Sequence, residues 1–137
     1  MKVVTSRVKL NIPKIKQLTK ATTTALEKTM SALHTEVVKA QVMPFGDSYE
    51  RGGKTHQGGT MQGEGTFPDY SKSSKGKVSL ITSTPYARRM YFHPEYNFRK
   101  IDNPNAQGNW YEPWISGKNK NFCKNAFSQF YKKEAGL

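Results

Sequence analysis

Between Pro13 and Pro44, apolar and small residues recur at steps of three and four: Ile15, Leu18, Thr22, Leu26, Met30, Leu33, Val37 and Ala40. That spacing predicts one amphipathic helix of roughly 28 residues, ~40 Å long. Pro13 suits its first turn, where a missing N–H costs nothing, and Pro44 closes it. Upstream, Val4, Ser6, Val8, Leu10 and Ile12 alternate with Thr5, Arg7, Lys9 and Asn11. Residues 1–12 therefore read as an extended arm or short strand. Two runs, Thr66 to Ser71 and Lys77 to Thr82, flank the turn-like Lys72-Ser73-Ser74-Lys75-Gly76. They predict an antiparallel hairpin with Val78, Leu80 and Thr82 facing one way.

A proline start and a mixed apolar face predict a short helix from Pro85 to Phe92. Pro94, Asn103, Pro104, Asn105 and Gly108 then impose an irregular stretch, studded with aromatics, through Trp110 and Trp114. Phe122, Cys123, Ala126, Phe127, Phe130 and Tyr131 predict a terminal amphipathic helix. Lys132 and Lys133 complement its dipole and Gly136 lies just past its end. The order of elements predicts an α+β domain spanning 1–137. Its long N-terminal helix and C-terminal amphipathic helix would pack on a small antiparallel sheet.

Glycine changes the picture in one place. Residues 46–65 hold seven of the eleven glycines and few apolar groups. That composition predicts a flexible loop or extended hairpin, with Gly46, Arg51, Gly52, Gly53, Lys54, Gly58 and Gly59 as a candidate assembly loop. Such a segment is expected to move in the free protomer and to order against a neighbour, since ordering costs ~1–2 kcal/mol per residue.

The chain has 137 residues, 35% of them apolar, and 22 Lys plus Arg against 10 Asp plus Glu, a formal charge of +12. Twelve per cent aromatics separate it from a disordered tail. Positive charge concentrates at the two ends: residues 1–42 carry 8 basic and 2 acidic groups, and 86–137 carry 9 and 4. Between them, 43–85 carry 5 and 4. No apolar run reaches the ~20 residues of a membrane span, and the opening residues do not read as a signal peptide. One cysteine, Cys123, excludes an internal disulfide or a Cys-rich zinc site and points to folding in a reducing cytoplasm.

Catalytic patterns are missing. His34, His56 and His93 lack a third ligand at a metal-binding spacing, and His93 and Glu95 merely flank Pro94. There is no nucleophile elbow, and the glycines do not lead from a strand into a helix as a phosphate loop would. Glu95 and Glu112 stand at no diagnostic spacing. No enzyme activity, cofactor or metal is expected. Arg88, Arg89, Arg99, Lys100, Lys118, Lys120 and Lys124 interleave with Tyr86, Tyr91, Tyr96, Phe98, Trp110 and Trp114. Cationic grooves with stacking rings bind single strands, so a basic nucleic-acid-binding domain is an alternative reading. The competing account is that these rings build the core of a small domain and the charges solvate it.

The stretch from Ser83 to Phe98, with its Pro85-Tyr86-Ala87-Arg88-Arg89 element, is distinctive. So are Asn103-Pro104-Asn105-Ala106, Trp110-Tyr111-Glu112-Pro113-Trp114-Ile115 and the end Phe130-Tyr131-Lys132-Lys133-Glu134-Ala135-Gly136-Leu137. Over roughly residues 12 to 137 the chain resembles the minor capsid proteins of long-tailed bacteriophages and prophages of Gram-positive bacteria, within the wider neck and tail-completion group. Related neck proteins follow the long helix with a compact Pro-x-x-Thr-Gly-x-Leu segment. Here a Gly- and charge-rich insert separates Met43-Pro44-Phe45 from Gly59-Thr60-Met61-Gln62.

The resemblance implies a structural virion protein at the head–tail junction, assembled in the host bacterial cytoplasm. It would form a homo-oligomeric ring, six copies favoured over twelve. Its neighbours would be a head-side connector or stopper ring and the tail terminator. Genomic double-stranded DNA would pass through the channel without sequence-specific binding, and no membrane is involved. Candidate inter-subunit or ring contacts are Arg88, Arg89, Tyr91, His93, Tyr96, Phe98, Trp110 and Trp114. Adjacent helical positions point about 100° apart. One arginine should therefore brace the protomer, against Glu95 or a helix's carbonyl end, while the other reaches an acidic group on a neighbour. Strong phosphate contacts would slow DNA ejection, which favours protein contacts for most of the basic residues.

Overall fold

The computed structural model describes residues 9–45, 49–51, 54–56, 59 and 61–137, with backbone alone at 49–51 and 54–56. The predicted long helix is α1, Ile12–Lys39. Asn11 caps it, its side-chain oxygen accepting from the Lys14 N–H at 3.1 Å, one of the orphan donors at any helix start. Of the expected N-terminal arm, residues 1–8 lie outside the described residues. Lys9 to Asn11 form no regular element, which fits an arm there and not a strand, and Ile12 already begins α1.

The buried line on α1 keeps the predicted Leu33 and Val37 but departs from the predicted stripe over the first two-thirds of the helix. It runs Ala21, Ala25, Thr29, Leu33 and Val37, while Ile15 is exposed and Leu18, Leu26 and Met30 are half-buried. The cause is the partner helix α4, Phe122–Ala135, which packs along α1. Small side chains let two helices approach closely, so α4 settles over the alanines and leaves the larger residues at the flanks. The Thr29 hydroxyl, buried in that seam, donates to the Ala25 carbonyl at 2.7 Å. At the far end Lys14 and Gln17 both donate to the Ala135 carbonyl. Gly136, at φ 72°, closes α4, and the Leu137 N–H returns to Lys132 at 2.8 Å. The sequence expectation placed both long helices on the sheet; instead α4 rests on α1, and α1 meets the hairpin.

That hairpin pairs β3, Thr66–Asp69, with β4, Ser79–Thr82, in the register Thr66 to Thr82. Its turn contains a 3-10 segment at Ser73–Lys75. Buried Ser73 donates to the Glu27 carboxylate at 2.7 Å, fixing the turn to the middle of α1. A second pair, β1 at Tyr49–Arg51 and β2 at Lys54–His56, is also antiparallel. Gly46, Gly52, Gly53 and Gly58 of the predicted flexible loop lie outside the described residues. Its last part is anchored, contrary to expectation. The Gly59 backbone comes so close to the Phe45 ring that a Cβ would sit 2.4 Å away, Met61 is buried in the core, and the Gly65 carbonyl accepts from the Ser83 N–H at 2.8 Å.

The largest core cluster gathers at the C-terminal end of α1: Leu33, Val37, Val42, Met43, Met61, Ala87, Trp110 and Trp114. α2, Ala87–Tyr91, and α3, Glu112–Ile115, contribute to it. The chain leaves α1 through Gln41, held at φ 56°, a left-handed conformation that costs a side-chain-bearing residue ~1–2 kcal/mol. The carbonyls beyond that turn need partners, and one loop supplies them. Asn105 donates to Ala40 at 3.0 Å, the Gln107 N–H to Val42 at 3.0 Å, and Asn103 to Met43 at 2.8 Å. Asn103 also reaches the Gln62 side chain at 2.6 Å and is itself buried.

Replacing Asn103 by Ala strands the Met43 carbonyl in the core, a loss of about 2–3 kcal/mol. Asn105→Ala, whose carbonyl partner can turn to water, should cost about 1 kcal/mol or less. Urea unfolding of the two variants checks the order.

Candidate functional site

The sequence-selected aromatic and basic residues divide into two groups. Trp110 and Trp114 are buried in the protomer's own core, with Trp110 only 1% exposed. Their surfaces are taken up inside the chain, which removes both from the candidate contact face. Tyr91 stands between core and surface. Its ring meets Trp110 edge-on at 4.8 Å and Phe92 at 5.1 Å. Burial, with the nearby Glu112 and Tyr111, pushes its hydroxyl above the usual tyrosine range.

The second group forms an exposed stack beside α2. The Arg89 Nε donates to the Tyr96 hydroxyl at 3.1 Å, and the guanidinium lies 5.8 Å from the centre of that ring. On Tyr96 the His93 imidazole stacks nearly parallel, 4.7 Å away at 7°. His93 Nδ1 in turn meets Glu95 Oε1 at 2.6 Å. That hydrogen bond holds the Glu95 carboxyl below the usual range. The two arginines do diverge, as adjacent helical positions must, but the brace differs from expectation. Arg89 is held by Tyr96, because His93 already occupies Glu95.

Arg88 points elsewhere. It lines a cleft of about 210 Å³ with Thr82, Ala87, Tyr91, Phe92, Trp110 and Tyr111. Phe92 is 64% exposed at its rim. Hydroxyls brace the cleft wall: Tyr111 bonds Thr82, which bonds Thr66 at 3.1 Å, and Thr66 donates to the Met61 carbonyl. The Trp110 indole N–H is buried without a partner among the described residues. Phe98, half-buried, lines a neighbouring groove with Pro44, Phe45 and Met90. Arg51 and Lys54 end β1 and begin β2, and Gly59 packs under Phe45.

Chemically, the arrangement offers rings, a guanidinium and fixed hydroxyls rather than a nucleophile beside a base. Among the described residues no group of three or more His, Cys, Asp or Glu side chains could hold a metal ion. Burial pushes the Cys123 thiol above its ordinary range, away from thiolate reactivity. No helix among the described residues is long and apolar enough to cross a membrane. No protein-family model, no curated protein and no solved structure matches the chain.

Sequence reasoning missed the cleft because its wall depends on Thr82 and Tyr111, 29 positions apart and joined only by the fold. It missed the role of Asn103 and Asn105 for the same reason. The buried Asn was legible only as part of an unusual Asn-Pro-Asn-Ala run.

Arg89→Ala should lower the melting temperature slightly, and Tyr96→Phe, which removes the acceptor, should do the same. Arg88→Ala should leave the melting temperature of the monomer unchanged. Thermal unfolding followed by circular dichroism checks the difference.

Proposed function

We propose that this chain is a structural subunit of the ring-shaped neck joining a DNA-filled phage capsid to its tail, without catalytic function. One observation carries the reading: large apolar side chains are exposed at both ends of the protomer. Leu10, Ile12 and Ile15 are 62, 48 and 45% exposed around the start of α1. Phe92, Ile101 and Ile115 are 64, 79 and 64% exposed around the core at its other end. The two ends lie ~40 Å apart along α1, and Phe67 and Tyr70 on the hairpin are exposed as well, so a symmetric dimer through either end leaves other apolar side chains in water. A head-to-tail contact repeated around a closed ring covers both. The resemblance of the Pro85 to Arg89 and Trp110 to Ile115 stretches to minor capsid proteins of long-tailed phages supports the same reading, with six copies the favoured number.

In this reading the β1–β2 hairpin, with its Gly-rich surroundings, lies against a neighbouring protomer or ring. Arg88, with no partner of its own among the described residues, offers its guanidinium to an acidic group there. The head-side connector or stopper ring and the tail terminator are the proposed neighbours, and the virion neck the proposed location.

Native mass spectrometry of the purified chain should show a closed oligomer, six copies at its most abundant, and Arg88→Ala should shift it toward monomer. A chain that stays monomeric at all concentrations and does not co-purify with virions overturns the reading.

A further inference from the structure

We propose that the solvent face of α4 is a nucleic-acid surface that attracts the phosphate backbone of double-stranded DNA without reading its bases. The inference rests on the neck reading for the identity of the duplex, while its chemistry stands on the helix itself.

From residue 120 to 133 the exposed positions come in pairs at every turn: Lys120 and Asn121, Lys124 and Asn125, Ser128 and Gln129, Lys132 and Lys133. All are cationic or neutral polar. No carboxylate, ring or aliphatic side chain interrupts a face ~20 Å long, and duplex DNA presents one phosphate charge per ~1.7 Å of its axis. The single carboxylate on α4, Glu134, is half-buried and ion-paired to Lys28. Lys133 and Lys20 also act on it, so cations dominate that end of the helix pair.

α1 is likewise free of exposed acidic side chains. Its exposed positions include Lys16, Lys20 and Lys39 and no carboxylate, since Glu27 and Glu36 are half-buried. Glu27 is also engaged by Ser73. The exposed acidic side chains among the described residues, Glu64, Glu95, Asp102 and Glu112, belong to neither long helix. The two long helices therefore expose cations and no acidic side chain, while the segments between them, the loop side, expose both signs.

An acidic protein partner would call for a different face. Protein interfaces have an apolar centre enriched in aromatics and Arg, and they are depleted in Lys. The Arg88 cleft has that composition and the α4 face has the opposite one. Protein–DNA interfaces are polar and strongly positive, and amides and hydroxyls between lysines supply further donors to phosphate oxygens. Lysine is a compact, hydrated point charge. Spaced along one helix without arginine forks or stacking rings, it gives diffuse attraction that lets a duplex slide.

The test uses the full chain and a fluorescein-labelled random-sequence duplex of about 30 bp, followed by anisotropy between about 50 and 200 mM salt. The parent should bind more weakly as salt rises. Lys124→Gln/Lys132→Gln/Lys133→Gln should bind far more weakly at low salt and reduce the slope of log K against log salt by roughly 2–3. The Lys→Arg triple should restore binding. Lys72→Gln/Lys77→Gln, on the hairpin, should change little. Circular dichroism melts of every variant exclude unfolding as the cause.

Absence of binding by the parent at low salt overturns the proposal. So does a slope that the α4 triple leaves unchanged. A parent that ignores DNA, with an α4 triple that fails to join virions, assigns the face to an acidic protein partner and also overturns it. Native mass keeps the two claims apart. A closed oligomer without DNA binding refutes this inference and leaves the neck reading standing, while a monomer whose DNA binding depends on α4 does the reverse.

Discussion

Three carbonyls leave α1 with no helical partner, those of Ala40, Val42 and Met43, and the loop of residues 103–107 supplies a donor to each. Met43 and Val42 are buried where they emerge, so water cannot substitute. An unmet carbonyl there would cost as much as a lost core contact. By satisfying them, the loop ties the end of the long helix to the part of the chain that carries Trp110, Trp114 and the approach to α4. The adjoining backbone is fitted as closely. Gly108 lies against Pro94, where a Cβ would fall 2.6 Å from the proline Cα, and the Asn109 N–H reaches the Tyr91 carbonyl at 2.8 Å. Through that bond the position of α2, and with it Arg88 and Arg89, depends on the same clasp.

From this arrangement comes an uneven molecule. The main core cluster sits at one end of α1, while the other end is stabilised by α4 and by contacts such as Lys14 and Gln17 to Ala135. Apolar residues at both extremities remain in water in the single chain. The two surfaces differ in chemistry: rings and a guanidinium near α2, lysines and amides along α4. Such a division suits a subunit that must grip identical neighbours while letting a polyanion pass.

Much of the architecture was legible in sequence. The three-and-four spacing from Ile15 to Ala40 located α1, the alternation around Lys72 to Gly76 located the β3–β4 hairpin, and Phe122 to Tyr131 located α4. Which side of α1 would be buried was legible at Leu33 and Val37 but not along its first two-thirds. A stripe of Ala21, Ala25 and Thr29 looks weaker than one of Ile15, Leu18 and Leu26 until a second helix is known to require close approach. β1 and β2 are short and mostly charged or polar, so they carry no alternation to detect. α3 is hidden by Pro113, which sits where a helix start tolerates it. Ring type could not separate core from contact either: Trp110 and Phe92 look alike in sequence, yet one is buried and the other 64% exposed. That one of Arg88 and Arg89 would brace the protomer was legible through helical geometry, while which one and against what was not, because Tyr96 and His93 come together only when the chain turns at Pro94.

In the proposed neck the protomers close a ring whose basic helical side faces the DNA path. A cryo-electron microscopic reconstruction of the neck of a virion carrying this chain tests it most directly. The expected image is a ring of these protomers at the head–tail junction, with α4 lining the channel and the Arg88 cleft closed against the next copy. Absence of the protomer from the neck, or a ring whose α4 faces outward while the loop side lines the channel, would contradict it.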